Sequence, residues 1–237
     1  MQDAASPKSS VDAPPDQGAP DIGDFNFSKP LQSFTSVKPS FTLMGSVERK
    51  LAGTSERKLA DLSERKLADV SERKLISLLF AFQIEGDLTA LDLQHSRARE
   101  IRNQQDDLWK ATCFEIFLSR PGDASYLEFN FSPTGDFAVY KFDDYRLGMQ
   151  ALRPVSSPRF KIERGSDFYR ITGSIGEAHD DPRLALLLAE PALEASITAV
   201  LKPLSGQGDT TFWALSHAGD KADFHLRSSF TFSLREF

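Results

Sequence analysis

The stretch that decides the fold runs from Leu108 to Met149 and reads LWKATCFEIFLSRPGDASYLEFNFSPTGDFAVYKFDDYRLGM. Its residues alternate, as expected of strands whose successive side chains face opposite sides of a sheet. Pro and Gly interrupt the alternation at Arg120–Ala124 and again in the SPTG sequence of Ser132–Gly135. Two turns are therefore predicted to join three antiparallel strands into a meander.

The alternation also predicts what each face of this sheet carries. The first predicted face is apolar, and it comprises Phe114, Ile116, Leu118, Leu127, Phe129 and Phe131. The second predicted face carries two carboxylates and an amide, and it comprises Cys113, Glu115, Phe117, Tyr126, Glu128 and Asn130. We therefore expect a sheet with one dry face and one polar face.

The composition of the chain fits an all-β protein. Its 237 residues are 40% hydrophobic and include 19 phenylalanines, and aromatic side chains suit the half-buried surface of a sheet. The net charge of −6 and the pI of about 5.3 oppose attraction to nucleic acids or anionic membranes, which requires clustered positive charge. We expect neither partner.

The sequence favours a cytoplasmic location. One cysteine, Cys113, cannot form an internal disulfide. The amino terminus has no basic segment followed by an apolar one, so no secretory signal is predicted. The apolar run Leu75–Phe82 has the length of a strand, far short of the roughly 18 residues of a membrane helix.

We divide the chain into three parts. Residues 1–46 are predicted to be a largely disordered tail, rich in Pro, Ser and Asp, with a possible edge strand within Phe25–Leu43. Residues 47–74 contain the ERKL unit, repeated every eight residues, and are predicted to form a helix because most residues of the unit are good helix formers. An eight-residue period carries the leucines around the helix and so excludes a coiled-coil seam. A solvated spacer or a helix that binds a protein partner would both fit the repeat.

Residues 75–237 are predicted to form the β-sandwich. Besides the meander, strands are expected at Leu75–Gly86, its hairpin partner Leu88–Leu93, Arg159–Glu163, Asp167–Ile175, Ser196–Lys202, Thr210–His217 and Ser229–Arg235. Asp180, Asp181 and Pro182 predict the start of a short helix or of an irregular crossing. Many short strands without alternating long helices are typical of a two-sheet antiparallel β-sandwich.

Several motifs carry a family resemblance. They are Trp109, Thr112 to Glu115, Tyr126, Glu128 to Asn130, Ser132-Pro133, Gly135, Tyr140, Phe142, Tyr145-Arg146, Gly148-Met149, Trp213 to His217 and Asp223 to His225. Together they resemble bacterial DOMON-like proteins related to family 9 carbohydrate-binding modules, over roughly Leu75 to the carboxyl terminus. The resemblance implies a jelly-roll-like sandwich that binds a ligand, with sugar or haem as the ligands of related domains.

A saccharide site needs an aromatic platform and planar polar groups. The candidate residues of these types are Trp109, Glu115, Tyr126, Glu128, Asn130, Arg146 and Trp213. The alternative is that both tryptophans fill the core and Glu115 is structural. Glu115 and Glu128 are expected on adjacent strands, where like charges repel unless a cation or a ligand intervenes.

Other functions have weaker signals. A pair of acids also suggests glycoside hydrolysis, but no catalytic site is evident, so we predict a binding domain and not an enzyme. No cofactor is predicted. Haem would require an axial pair such as Met149 with His217 or His225, and a protein-interaction scaffold remains the other alternative.

Overall fold

The computed structural model of the protein describes residues 29–35, 39–51, 76–93, 103–153, 158–175 and 182–235. Within these ranges the chain forms thirteen β-strands and one short α-helix. In chain order they are β1 (Lys29–Pro30), β2 (Gln32–Ser33), β3 (Phe41–Leu51), β4 (Ile76–Gly86), β5 (Cys113–Ser119), β6 (Tyr126–Phe131), β7 (Phe137–Phe142), β8 (Gln150–Leu152), β9 (Arg159–Arg164), β10 (Phe168–Ile175), α1 (Pro182–Leu188), β11 (Ala192–Leu201), β12 (Thr211–Ala214) and β13 (Phe232–Arg235).

The strands form two antiparallel sheets. The first sheet has the order β1-β3-β4-β10-β9, and the second has the order β2-β12-β11-β5-β6-β7-β8, with β13 also paired to β11. This arrangement confirms the predicted two-sheet sandwich and its central meander of β5, β6 and β7. No helix in the described ranges has the length and apolar character needed to cross a bilayer.

Aromatic side chains fill the space between the sheets. Phe80 of the first sheet stacks on Phe131 of the second, with ring centroids 4.1 Å apart. Phe114 lies between Phe82 and Tyr169, at centroid distances of 5.1 and 5.7 Å. The predicted apolar face of the meander therefore packs in the inter-sheet core.

The opposite face of the meander is not the open polar surface that we expected. Every residue of β5 and β6 is buried, so this outer face is covered as well. A second apolar cluster forms there, in which Cys113, Phe117 and Tyr126 pack with Phe224 and Phe230 from the segment before β13. The covering segment has no strand periodicity, so the alternation in the meander could not reveal it.

The sandwich begins earlier in the chain than predicted. β3 pairs with β4 along its whole length, and Leu43 and Val47 lie in the core. Val47–Leu51, predicted to start the repeat helix, is therefore strand, because tertiary pairing overrides local helix propensity. The rest of the predicted helix and residues 1–28 of the predicted tail lie outside the described residues.

The predicted hairpin between β4 and Leu88–Leu93 is also wrong. Both edges of β4 are occupied, by β3 on one side and β10 on the other. Leu91 instead makes an isolated bridge to Pro203. The apolar side chains in this segment, which suggested a strand, are buried in the inter-sheet core.

A buried arginine ties the first sheet to the end of α1, which begins at Pro182 as predicted. The guanidinium of Arg49 on β3 donates hydrogen bonds to four backbone carbonyls, those of Leu188, Glu190, Pro191 and Leu234. Arg49 is 7% exposed. It therefore clamps three parts of the fold together, namely β3, the connection between α1 and β11, and β13.

Candidate functional site

A cavity of about 350 Å³ lies on the outer face of the second sheet. Its volume falls within the range of roughly 300–1,000 Å³ that is typical of small-molecule sites. The apolar part of its lining consists of Trp109, Phe142, Met149, Val200, Phe212, Ala222 and Phe224. The polar part consists of Glu115, Glu128, Arg146 and His225. We call this the outer-face cavity.

The register of the meander brings the two carboxyl groups together. Glu115 on β5 lies opposite Asn130 on β6, and Glu128 lies opposite Phe117. Glu115 and Glu128 are therefore diagonal neighbours on one face, within reach of each other. Both are almost fully buried, at 3% and 4% exposure.

Burial controls the protonation of this carboxyl pair. It raises the pKa of Glu128 to about 7, although the hydrogen bond from Asn130 and the charge of Arg146 act in the opposite direction. Burial, followed by the nearby charge of Glu128, raises the pKa of Glu115 well above its ordinary value. Since two buried carboxylates in contact repel each other, the pair holds at least part of a proton at neutral pH.

The two carboxyl groups differ in their hydrogen bonds. The side-chain amide of Asn130 donates to Oε1 of Glu128 over 2.7 Å, and the Thr198 hydroxyl donates to Oε2 of Glu115 over 3.3 Å. Asn130 itself is fully buried. It therefore fixes the Glu128 side chain from beneath the cavity and does not line it.

The contacts of His225 determine which of its ring nitrogens carries hydrogen. The Tyr126 hydroxyl accepts a hydrogen bond from the backbone N–H of Arg146 over 3.2 Å and lies 2.7 Å from His225 Nδ1. Burial raises the pKa of Tyr126 to about 12 and lowers that of His225 to about 4, so both groups are neutral at pH 7. The hydroxyl hydrogen then points to Nδ1, which assigns the imidazole hydrogen to Nε2.

One carboxylate joins the two loops at the mouth of the cavity. Oδ1 of Asp223 accepts hydrogen bonds from Arg146 Nη2 at 2.9 Å and from the backbone N–H of His225 at 3.1 Å. Its Oδ2 accepts one from the Tyr145 hydroxyl at 2.5 Å. Burial alone would raise the pKa of Asp223, but these hydrogen bonds outweigh burial and hold it below its ordinary value. We call this group the Asp223 clasp.

Aromatic side chains form the walls. Trp109, on a 3₁₀ turn before β5, is half-buried and packs edge-on against Tyr140, with ring centroids 5.5 Å apart. The Tyr140 hydroxyl is held by Asp106 over 2.7 Å. Phe212 on β12 packs edge-on against Phe224, with centroids 6.2 Å apart.

The structure brings together four of the seven residues predicted for the site, which are Trp109, Glu115, Glu128 and Arg146. Asn130 and Tyr126 are buried behind the lining, where they hold Glu128 and His225. The prediction for Trp213 is corrected, because its ring packs in the inter-sheet core, 5.2 Å from Phe41.

Sequence reasoning did not place Phe212, Phe224 and His225 in the saccharide site, although Asp223 to His225 belongs to the family resemblance and His225 was considered as a haem ligand. Neighbouring residues on a strand face opposite sides, so Phe212 reaches the outer face because Trp213 points into the core. The alternation in β12 places Phe212 and Trp213 on opposite faces, but it does not indicate which of the two residues faces the core. Phe224 and His225 lie outside any strand, and no periodicity identifies them.

Two further residues, Cys113 and His217, can be placed. Cys113 is fully buried, its Sγ lies 3.6 Å from Oδ1 of Asn130, and burial raises the pKa of its thiol well above the ordinary value. Among the described residues, no three His, Cys, Asp or Glu side chains are grouped as metal ligands. The Nε2–H of His217 donates a hydrogen bond to the backbone carbonyl of Gln32 at 2.9 Å.

Comparison with known proteins supports the fold assignment. The amino-acid sequence matches no protein-family model and no curated protein. The fold is similar to that of a Bacteroides uniformis ATCC 8492 protein described as a "putative carbohydrate-binding protein", with a TM-score of 0.54 and 11% identity over 87% of this chain and 84% of that one. A family 9 carbohydrate-binding module from Caldicellulosiruptor kristjanssonii, solved in complex with glucose, aligns with a TM-score of 0.43 and 9% identity over 89% of this chain and 84% of that one.

Proposed function

We propose that the protein is a non-catalytic saccharide-binding β-sandwich whose ligand occupies the outer-face cavity. The observation that carries the proposal is the composition of that cavity, where the aromatic rings of Trp109 and Phe212 stand beside Glu128, Arg146 and His225. The apolar face of a sugar ring packs against aromatic rings, while carboxyl, imidazole and guanidinium groups bind its hydroxyls.

The donors and acceptors of the cavity suit a polyhydroxylated ligand. The Glu128 carboxyl group can accept hydrogen bonds from ligand hydroxyls. The Nε2–H of His225 can donate a hydrogen bond to a ligand oxygen, because Nδ1 is occupied by Tyr126. The clasp holds Arg146 at the rim, where its side chain is 51% exposed. The similarity to a structure described as carbohydrate-binding is consistent with this ligand class. The relation to DOMON-like proteins and family 9 modules remains part of the proposal, as does a cytoplasmic location.

The position of the two acids favours binding over glycoside hydrolysis. Hydrolases place two carboxyl groups on opposite sides of the scissile bond. Glu115 and Glu128 instead come from adjacent strands of one sheet and lie on the same face of it. They can both accept hydrogen bonds from one side of a ligand, but they do not flank it.

Haem fits the cavity less well than a saccharide. Met149 and His225, one of the axial pairs suggested by the sequence, do line the same cavity. However, Met149 is 52% exposed, and Nε2 of His225 is 3.8 Å from the buried Glu128 carboxyl group. A carboxyl pair beside an apolar macrocycle would be poorly solvated. The scaffold alternative concerns residues 52–74, outside the described ranges, and stays a prediction.

Isothermal titration calorimetry of the full chain against glucose, xylose, cellobiose and their relatives tests the proposal. We expect at least one saccharide to bind, and Trp109→Ala to weaken it about tenfold or more through loss of the aromatic wall. Phe168→Ala is the matched control, because Phe168 is a half-buried aromatic residue on β10 of the first sheet, whereas the cavity lies on the outer face of the second. Equal binding by wild type and Trp109→Ala would place the ligand elsewhere, and absence of binding across the panel would overturn the proposal.

A further inference from the structure

One oxygen of Glu128 faces the cavity without a hydrogen-bond donor. Oε1 accepts its hydrogen bond from Asn130, but the nearest donor to Oε2 in the described chain is Nε2 of His225, at 3.8 Å. That distance is too long for a hydrogen bond. Glu128 is 4% exposed and lines the cavity, so the missing partner must reach Oε2 from within it.

The charged side chains around the cavity are mostly acidic, which also favours a cationic partner for Glu128. Glu115, Glu128 and Asp223 are acidic, whereas Arg146 is the cation among the lining residues and is paired to Asp223. His225 is neutral because burial lowers its pKa to about 4. The charge of Arg146 acts on both carboxyl groups, but its guanidinium is hydrogen-bonded to Asp223, so no cation among these residues makes an ion pair with Glu115 or Glu128.

The nearby lysines do not supply that cation. Lys110, beside Trp109, is paired with Asp107 at 2.5 Å, and its side chain is 67% exposed. Lys141 on β7 is paired with Asp143 at 2.6 Å. Neither lysine lines the outer-face cavity. A buried carboxylate without a partner is unfavourable, so a cationic donor on the ligand would relieve it.

We infer that the ligand is an amino sugar, with its ammonium group against Glu128 Oε2 and its ring against Trp109. This inference rests on the proposed function and specifies its ligand class. An ammonium group offers three donors, so one group can serve both Glu128 and Glu115. A neutral hydroxyl would donate to Oε2 but would leave the acidic charge uncompensated.

The aromatic wall supports the same ligand class. An amino sugar carries its positive charge on a ring whose apolar face packs against Trp109, and the indole ring attracts cations. A metal ion would require more ligands than the cavity provides, because the described residues hold no group of three metal-ligating side chains.

The test compares glucosamine, N-acetylglucosamine and glucose by calorimetry on the full chain at about pH 7.5. This pH lies above the pKa of about 7 of Glu128 in the free protein, so the carboxyl group is mostly ionised, while an amine of pKa about 7.7–8.0 is still more than half protonated. We expect glucosamine to bind the wild-type protein about tenfold to a hundredfold more tightly than glucose, as one charge-assisted hydrogen bond predicts. N-acetylation removes the charge and should abolish this preference. In Glu128→Gln the ratio of the two affinities should fall close to one.

The outcomes separate this inference from the proposed function. Equal affinities for glucosamine and glucose in the wild type would overturn the amino-sugar assignment and leave the saccharide site standing. No binding of any of the three, nor of the wider panel, would overturn both. If Glu128→Gln does not fold, Glu115→Gln and the N-acetylated ligand give the same comparison. Binding that requires calcium and is lost with EDTA would assign the carboxyl pair to a metal and also overturn the inference.

Discussion

Replacement of Arg49 by methionine should destabilise the fold strongly. Methionine keeps an unbranched, apolar stem that can fill the space of the arginine side chain. It removes the guanidinium that donates to the carbonyls of Leu188, Glu190, Pro191 and Leu234, two of them at 3.0 and 3.1 Å. These carbonyls, at the end of α1 with the connection that follows it and in β13, would then lose their donor.

The magnitude follows from these contacts. A hydrogen bond to a charged group contributes about 1.5–3 kcal/mol, but four carbonyls share one cation and some of them regain water when it is lost. We therefore expect a loss of about 3–5 kcal/mol, the equivalent of roughly two such bonds. A domain of this kind has a free energy of unfolding of about 5–15 kcal/mol, so the loss is a large part of the total.

Urea unfolding, followed by tryptophan fluorescence, measures the change in free energy. Arg153→Met is the matched control, because Arg153 is an exposed arginine. We expect a much larger loss at Arg49 than at Arg153. A change below about 1 kcal/mol in Arg49→Met, at the level of an ordinary surface substitution, would refute the clamp.

Three further predictions concern the cavity. Asp223→Asn should weaken saccharide binding about tenfold, since it removes the charge that holds Arg146, whereas Asp220→Asn in the same loop should not; equal effects would show that the clasp does not position the site. Because burial raises the pKa of Glu128 from 4.5 to about 7, the folded state binds more protons than the unfolded state between these pH values, and the free energy of unfolding falls as pH rises through that window. Glu128→Gln should therefore gain about 2–3 kcal/mol relative to wild type between about pH 5 and pH 8 in urea titrations, and parallel pH profiles would contradict the burial argument. Thiol labelling of Cys113 should be slower in the folded chain than in urea by about a hundredfold or more, because the thiol is buried and its pKa is raised; rapid labelling under native conditions would show that the outer face opens.

The sequence predicts the meander well because its strands carry a strong period of two. Phe114, Ile116 and Leu118 pack in the inter-sheet core as the alternation indicated. The same period places Glu115 and Glu128 on one face and makes them neighbours once the strands pair in register. Whether a segment forms a strand, and which of its residues share a face, depends mainly on local alternation, which can be read from the sequence.

The alternation in the meander could not predict that Phe224 and Phe230 pack over its outer face. Phe224 and Phe230 belong to a segment without regular strand structure, and their positions depend on contacts with β5 and β6. The helix predicted for the start of the repeat is wrong for a related reason. Val47–Leu51 has the residues of a helix, but the gain from pairing with β4 exceeds helix propensities of at most about 0.7 kcal/mol per residue.

The error at Trp213 shows how sensitive a site prediction is to register. A shift of one residue along a strand exchanges the two faces. Trp213 has the side chain that a sugar site favours, but its neighbour Phe212 occupies the cavity wall. Residue type alone therefore selected a strand that lines the cavity, but a residue on the opposite face of that strand.

The buried carboxyl pair links ligand binding to stability. In the free protein Glu128 keeps one oxygen without a donor, and ionising it beside Glu115 is opposed by burial and by repulsion. The pair therefore makes the folded chain less stable at neutral pH than an amide in the same place would. A ligand that donates hydrogen bonds to Glu128 removes this cost, so it should stabilise the wild-type fold more than the Glu128→Gln fold. The increase in the free energy of unfolding on ligand binding should therefore be larger in the wild type, where the ligand supplies the missing donor to Glu128, than in Glu128→Gln.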